Sequence, residues 1–134
     1  MKKTELITSN AIFSIFTFLF GGFDSLLKSF IIIMGLDFLT GVCKAIYKKE
    51  LNSTIGVKGI LKKFGYVLIV ILATLFDRLI GDGSMAIRTL VIYFFIANEA
   101  ISILENWGAL GLPLPKKIYE VFEKLKNEEI SNKK

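Results

Sequence analysis

The sequence predicts an all-α integral membrane protein with three to four short transmembrane helices and a C-terminal amphipathic cytoplasmic helix. Hydrophobic residues make up 53% of the 134 residues, and the mean hydropathy of +0.58 exceeds what one soluble core of this size can absorb. The apolar residues also fall into long runs that approach the length of a membrane span. Together these features predict a membrane helical domain over residues 1–110 and a cytoplasmic helix with a charged tail over 111–134.

Four apolar segments are candidates for crossing the hydrocarbon, which takes roughly 17 to 25 helical residues. They cover residues 6–23, 29–47, 64–80 and 85–104. The turn at 81–84 contains no lysine and is short enough to be external. The third and fourth segments therefore form an out-and-back hairpin, and the second begins on the outer side.

The first segment leaves the number of crossings open. Lys2 and Lys3 before an apolar run resemble a signal peptide, but no small-residue cleavage site follows at Gly21 and Gly22, so we expect the segment to be retained. If this segment spans the membrane, the chain crosses the membrane four times. Its polar side chains also permit an amphipathic helix lying in the membrane interface, which gives three crossings. These polar side chains are Ser9, Asn10, Ser14 and Thr17.

The lysines orient the segments. Residues 44–63 hold six lysines and one glutamate, a local net charge of +5 that equals the charge of the whole chain. Basic connections stay cytoplasmic, so we expect this connection and the six-lysine tail after Trp107 to face the cytoplasm. Each lysine beside an anionic leaflet adds about 1 kcal/mol of attraction. The expected anchors at the inner leaflet are Lys44, Lys48, Lys49, Lys58, Lys62, Lys63 and Trp107.

The segment after Trp107 predicts an amphipathic helix. Glycines and two prolines end the preceding helix, and Pro115 is suited to the first position of a new one. Apolar residues then recur at the i, i+3, i+4, i+7 spacing of one helix face. They are Ile118, Val121, Phe122 and Leu125. This face can rest on the membrane, on the basic connection or on a neighbouring subunit.

Charged and polar side chains within the apolar segments are the candidate functional residues. A charge at the centre of a span costs about 2.5–3.5 kcal/mol on insertion scales, so each must face protein or water. Asp77 and Arg88 flank the external turn and are a candidate ion pair. Gly41 and Ala45 have the small-x-x-x-small spacing that permits close helix approach. The candidates for a polar helix contact or an aqueous lumen are Asp37, Thr40, Gly41, Asn98 and Glu99.

The composition argues against an enzyme. The chain has no histidine, and its single cysteine, Cys43, lies in an apolar stretch where a buried structural role is favoured. Gly56-x-Lys58-Gly59 lacks the spacing of a phosphate-binding loop. We therefore expect a non-enzymatic protein with no catalytic residues, metal, cofactor or nucleic-acid partner.

Four blocks in order resemble the toxin-secretion/phage-lysis holin family. They are DFLTGVxKA at 37–45, SxxGxKG at 53–59, IANExxSILEN at 96–106 and GxxGLPxPK at 108–116. The similarity extends over about residues 30–126. It implies a multi-pass protein of the bacterial cytoplasmic membrane, from a phage or a Gram-positive bacterium, that assembles and opens lesions. Through such lesions an endolysin or a large toxin leaves the cell.

The leading hypothesis is a homo-oligomeric pore former that associates with itself and with anionic lipid. The endolysin or exported toxin is its functional partner without a stable complex. Because three or four helices cannot enclose a wide aqueous path, a large pore requires many copies. Two alternatives stay open at this stage, a small accessory or scaffold subunit of a membrane complex and a narrow ion channel.

Overall fold

The computed structural model describes residues 2–118, 120–121 and 124, and this part of the chain is helical with no β-strand. Four long helices follow one another: α1 (Lys3–Phe20), α2 (Ser25–Tyr47), α3 (Ser53–Ile80) and α4 (Ala86–Ala109). Among the described residues, α2, α3 and α4 are long and apolar enough to cross a membrane. The predicted all-α membrane fold is confirmed, and α1, with 18 residues, is the shortest of these four helices.

Side-chain caps and glycines set the helix boundaries. Asp24 accepts a hydrogen bond from the Leu27 backbone at 2.9 Å and starts α2, and Asn52 accepts one from Thr54 at 2.8 Å and starts α3. Gly21 and Gly81 end α1 and α3 with φ values of 76° and 75°, which glycine adopts without strain. Because of the Asn52 cap, α3 begins eleven residues before the apolar segment predicted from residue 64.

The central helix of the bundle is α4. Both α2 and α3 pack on α4 and make few direct contacts with each other. The core lies near mid-helix, where the rings of Tyr66 and Phe95 stack at 4.1 Å between centroids, and Phe30 stacks on Phe95 at 6.0 Å. Leu27, Val70 and Ile92 complete this core. The core is small because the outward faces of membrane helices contact lipid and need no protein cover.

The surface of the bundle is correspondingly apolar. Leu68, Leu72, Leu90 and Phe94 are exposed in the spanning helices. Cys43 is exposed as well, so the predicted buried position is wrong. In a membrane helix, an apolar sequence context is satisfied by lipid and does not require burial in protein.

The first helix projects from the bundle. Residues 3–15 of α1 are exposed along their whole length, and only the last turn approaches α3. The hydroxyls of Thr8, Ser9 and Ser14 each donate to the carbonyl four residues earlier at 2.8 Å. These polar side chains are therefore satisfied within the helix itself.

The chain becomes helical again from Lys116, close to the predicted start at Pro115. Ile118 and Val121 face Ile101 and Leu104 of α4 across an open apolar cleft of about 410 Å³. The other two residues of the predicted apolar face, Phe122 and Leu125, lie outside the described residues.

We predict that Phe95→Ala lowers the free energy of unfolding by about 3 kcal/mol, because it opens a cavity between Tyr66 and Phe30. Phe94→Ala is the matched control, since Phe94 is the next residue and is 64% exposed. Unfolding of the purified protein in detergent, followed by circular dichroism, measures both. Equal losses in the two variants would contradict the assigned core.

Candidate functional site

A cluster of charged side chains joins the three spanning helices. The Lys63 Nζ on α3 lies 2.7 Å from the Asp37 Oδ2 on α2 and also bonds to the Glu99 Oε2 on α4. The side chains of Lys63, Asp37 and Glu99 are 18%, 14% and 1% exposed. One ammonium thus connects two carboxylates from different helices, and we call these three residues the ionic cluster.

Two polar residues extend the ionic cluster between α2 and α4. The Asn106 Nδ2 donates to the Thr40 Oγ1 at 3.1 Å and to the Asp37 Oδ1 at 3.4 Å. A Cβ on Gly41 would lie 3.6 Å from the same Asn106 nitrogen, an ordinary van der Waals contact, so Gly41 faces this amide without being required by it. Sequence reasoning missed Asn106, although it follows Glu99 by seven residues and therefore shares its helix face.

Asn98, another predicted contact residue, lies apart from the ionic cluster. Its Nδ2 donates to the Tyr66 hydroxyl at 3.2 Å, toward the aromatic core. The Lys62 ammonium lies 5.4 Å from the centroid of the same ring, within the range of a cation–π contact. Of the five predicted polar residues, the structure brings Asp37, Thr40, Gly41 and Glu99 together, and it places Asn98 on Tyr66.

The ionic cluster carries an unbalanced charge. With all three groups ionised, two carboxylates and one ammonium sum to a formal charge of −1 inside the spanning helices. Charges removed from water need partners, and an uncompensated one costs several kcal/mol. Such an excess charge is offset when water, a further cation or a proton on one carboxylate lies at the cluster.

An open space lies beside the ionic cluster. A cleft of about 360 Å³ lies between α2 and α3, and its lining includes Asp37, Lys63, Ser102 and Asn106. It extends to the lysine-rich end of the bundle, where Glu50, Leu51 and Asn52 of the connection between α2 and α3 line it; we call this space the α2–α3 cleft. Its volume holds several water molecules, each of which occupies about 30 Å³ in the liquid.

The predicted membrane anchors fall into two groups. Lys48, Lys49, Lys58 and Lys62 are exposed at the lysine-rich end, and Lys44 is partly buried at the α2–α3 cleft. Lys63 differs from the expectation, because its ammonium is turned toward the carboxylates of the ionic cluster. Trp107, which is 40% exposed, donates its indole hydrogen to the Pro113 carbonyl at 3.3 Å.

A second polar site lies at the opposite end of the bundle, near the 81–84 turn. The Arg88 guanidinium, on a residue only 2% exposed, forms two hydrogen bonds of 2.9 and 3.0 Å with the carboxylate of Asp24. It also donates to the carbonyls of Phe20 and Gly22. Arg88 therefore ties the end of α1 and the start of α2 to α4.

The carboxylate of Asp77 does not form the ion pair expected from the sequence. It accepts hydrogen bonds from the backbone nitrogens of Ile87 at 3.0 Å and Arg88 at 2.7 Å, so it caps the start of α4. The predicted ion pair between the side chains of Asp77 and Arg88 is thus corrected: the guanidinium pairs with Asp24. Sequence distance concealed this pairing, because Asp24 and Arg88 are 64 residues apart.

A neighbouring arginine strengthens the same junction. The Arg78 guanidinium donates to the carbonyls of Phe18 at 2.8 Å and Thr17 at 3.1 Å. Positive charge at the C-terminus of a helix satisfies free carbonyls and opposes the helix dipole. We call Asp24, Asp77, Arg78 and Arg88 the arginine junction, and it fixes the last turn of α1.

Comparison with known proteins identifies the family. The model of the bacteriophage holin family matches residues 14–127. The chain belongs to this holin family. The predicted resemblance is confirmed, and three spanning helices agree with a membrane protein.

Similar chains occur in Clostridium and Listeria species. A 14.9 kDa protein of the nagH 3′ region of Clostridium perfringens is 46% identical, over 87% of this chain and 88% of its own. A protein of Clostridium acetobutylicum is 38% identical, over 83% of this chain and 89% of its own. A protein of Listeria monocytogenes is 38% identical, over 77% of this chain and 73% of its own length. No solved structure matches the chain significantly.

We predict that Lys63→Met destabilises the bundle by about 3–5 kcal/mol, because it leaves two carboxylates unpaired within the spanning helices. The triple variant Lys63→Met, Asp37→Asn, Glu99→Gln removes those charges and should recover most of the loss. Unfolding in detergent measures the single and triple variants. A triple variant no more stable than the single one would contradict the electrostatic account.

The arginine junction gives a pH dependence. Hydrogen bonds from Arg88 hold the pKa of Asp24 below its ordinary value. A lowered pKa in the folded state contributes stability that is present above the ordinary Asp pKa of about 4 and is lost as the pH falls through the lowered value. The stability difference between the wild type and Asp24→Asn should therefore shrink below about pH 4. Glu105→Gln, at an exposed carboxylate on α4 far from Arg88, is the control for acid effects unrelated to Arg88. A difference that stays constant from pH 7 to pH 2.5 would contradict the pairing.

Proposed function

We propose that the protein is a pore-forming holin, a homo-oligomer in the bacterial cytoplasmic membrane that releases an endolysin or a large toxin. The observation that carries the proposal is the ionic cluster beside the α2–α3 cleft. Charged groups and an open space within the spanning helices are features that a purely structural membrane anchor does not need.

Assembly follows from the size of the bundle. The aromatic stack of Tyr66, Phe95 and Phe30 fills the middle of one copy, so a single copy encloses no wide path. Several copies can surround a lumen if each turns its charged groups toward water. In this arrangement some polar contacts within one copy are replaced by contacts with water or with a neighbouring copy. The residues concerned are Asp37, Glu99 and Asn106.

The proposed orientation places the lysine-rich end in the cytoplasm, together with the C-terminus. The exposed lysines support this orientation, because basic segments are retained on the cytoplasmic side of the membrane and are attracted to anionic lipid. The arginine junction and the 81–84 turn then lie at the outer surface. The endolysin or toxin passes through the lesion without forming a stable complex with the protein.

Family membership indicates a non-enzymatic membrane protein. Among the described residues, no group of histidine, cysteine or acidic side chains is arranged to hold a metal ion. The activity that we propose is physical passage across the membrane, in keeping with the family.

Inducible expression in bacteria together with an endolysin tests the proposal. Induction should collapse the membrane potential and release the endolysin, and cells should lyse. Loss of potential without endolysin release would support a narrow ion channel instead. Normal membrane levels with neither effect would contradict pore formation and favour an accessory subunit.

We predict that Glu99→Gln delays or abolishes lysis at an unchanged membrane level, because the amide removes a charge from the ionic cluster. Glu105→Gln is the matched control, since Glu105 lies on the same helix with an exposed side chain. The time from induction to lysis and the amount of protein in the membrane are measured together. Wild-type timing in Glu99→Gln would remove Glu99 from the proposed site.

A further inference from the structure

A second cleft lies on the face of α4 that is turned away from the ionic cluster. Its residues on α4 recur at the i, i+3, i+4, i+7 spacing of one helix face, opposite the face of Glu99 and Asn106. The other wall belongs to the segment after α4. The lining consists of Ala97, Ala100, Ile101, Leu104, Lys117, Ile118 and Val121, and we call this space the α4 cleft. Its volume of about 410 Å³ is in the range of sites that bind small molecules.

The α4 cleft is apolar, unlike the α2–α3 cleft. Among the residues that the structure describes, no polar atom lines the α4 cleft, whereas Asp37 and Lys63 line the α2–α3 cleft. An apolar space offers water no hydrogen-bond partners and does not hold it. Ile118 and Val121 are 42% and 59% exposed on one wall. The occupant that this chemistry selects is therefore an apolar chain that covers both walls.

The depth of the α4 cleft indicates where this apolar chain comes from. Tryptophan is enriched at membrane interfaces, and Trp107 lies on the same side of α4 as Ala100 and Leu104. From Trp107 to Ala97 the helix rises about 15 Å. One leaflet, half of the hydrocarbon thickness of about 30 Å, has the same depth. The α4 cleft therefore has the length of one acyl chain in the leaflet at the lysine-rich end.

The end of the α4 cleft near Trp107 is basic. The Trp107 indole donates to the Pro113 carbonyl at 3.3 Å, which brings the start of the C-terminal helix close to Trp107. Lys116 and Lys117 lie in the first turn of that helix. Only the aliphatic part of Lys117 lines the α4 cleft, and a lysine in this arrangement extends its ammonium toward the headgroups. Such an ammonium attracts a headgroup with a net negative charge.

We propose that the α4 cleft binds one acyl chain of an anionic phospholipid whose headgroup lies beside Lys117. The acyl chain fills the space between α4 and the segment after it, so that the lipid joins the two. This site is independent of pore formation. Lipid binding without endolysin release would contradict the proposed function and leave the lipid site standing.

The single tryptophan of the chain reports the occupant, because Trp107 lies at the headgroup end of the α4 cleft. The full-length protein is reconstituted in phosphatidylcholine vesicles that contain a small fraction of brominated lipid, which quenches tryptophan on contact. Brominated phosphatidylglycerol should quench wild type about twofold more strongly than brominated phosphatidylcholine, because of its net charge. Equal quenching by the two lipids would overturn the proposal, and it is the result expected if the chain's own residues fill the cleft.

A pair of alanine variants tests the position of the acyl chain. Ala100→Leu adds a side chain in the middle of the α4 cleft. Ala86→Leu, at an exposed position at the other end of α4, is the matched control. Ala100→Leu should remove the preference for phosphatidylglycerol, and Ala86→Leu should keep it. If Ala100→Leu fails to fold, Ala97→Leu fills the same cleft from an exposed position. A folded cleft variant that keeps the wild-type preference would overturn the site.

A pair of lysine variants tests the headgroup contact. Lys117→Gln should lower quenching by brominated phosphatidylglycerol to the level of brominated phosphatidylcholine. Lys48→Gln should not, because Lys48 is exposed at the lysine-rich end and does not line the α4 cleft. Equal effects of the two variants would indicate general attraction to a basic surface and overturn the site. A preference that vanishes when the protein is diluted into excess vesicles would indicate a second copy in the cleft and overturn it as well.

Discussion

The bundle depends on one ammonium placed between carboxylates from two other helices. Without Lys63, Asp37 and Glu99 would face each other inside the spanning segments with no countercharge. In lipid, helices gain little from hydrophobic association, so polar contacts and close packing hold them together. The aromatic core adds packing at mid-helix, and Asn106 adds hydrogen bonds between α2 and α4. The lysine-rich half of the bundle is arranged around Lys63.

The two ends of the bundle differ in character. At the arginine junction, two guanidinium groups satisfy backbone carbonyls and a carboxylate caps α4, so the chain is closely fixed. At the lysine-rich end, α2 and α3 stand apart and leave the α2–α3 cleft open. The same helices are thus joined by many polar contacts at one end and leave an open space at the other.

Sequence alone predicted the helices and the hairpin, because long apolar runs and glycine turns are local signals. It also selected Asp37 and Glu99, since charges within a span are conspicuous. It did not predict that Lys63 joins them, because the start of α3 was placed after this residue and Lys63 was counted with the surface lysines. The pairing of Asp24 with Arg88 was missed for a different reason. The Asp24 carboxylate caps α2 and also pairs with Arg88, and only folding brings these two distant residues together.

The internally bonded hydroxyls of α1 have a consequence for where that helix resides. Thr8, Ser9 and Ser14 use their own backbone as acceptor, so immersion in hydrocarbon breaks none of their hydrogen bonds. After the charged Lys3 and Glu5, the part of α1 from Leu6 to Phe20 measures about 22 Å, shorter than the hydrocarbon thickness of about 30 Å. The depth of α1 is therefore sensitive to bilayer thickness, and membranes of different lipid composition will shift the balance between a lying and a crossing helix.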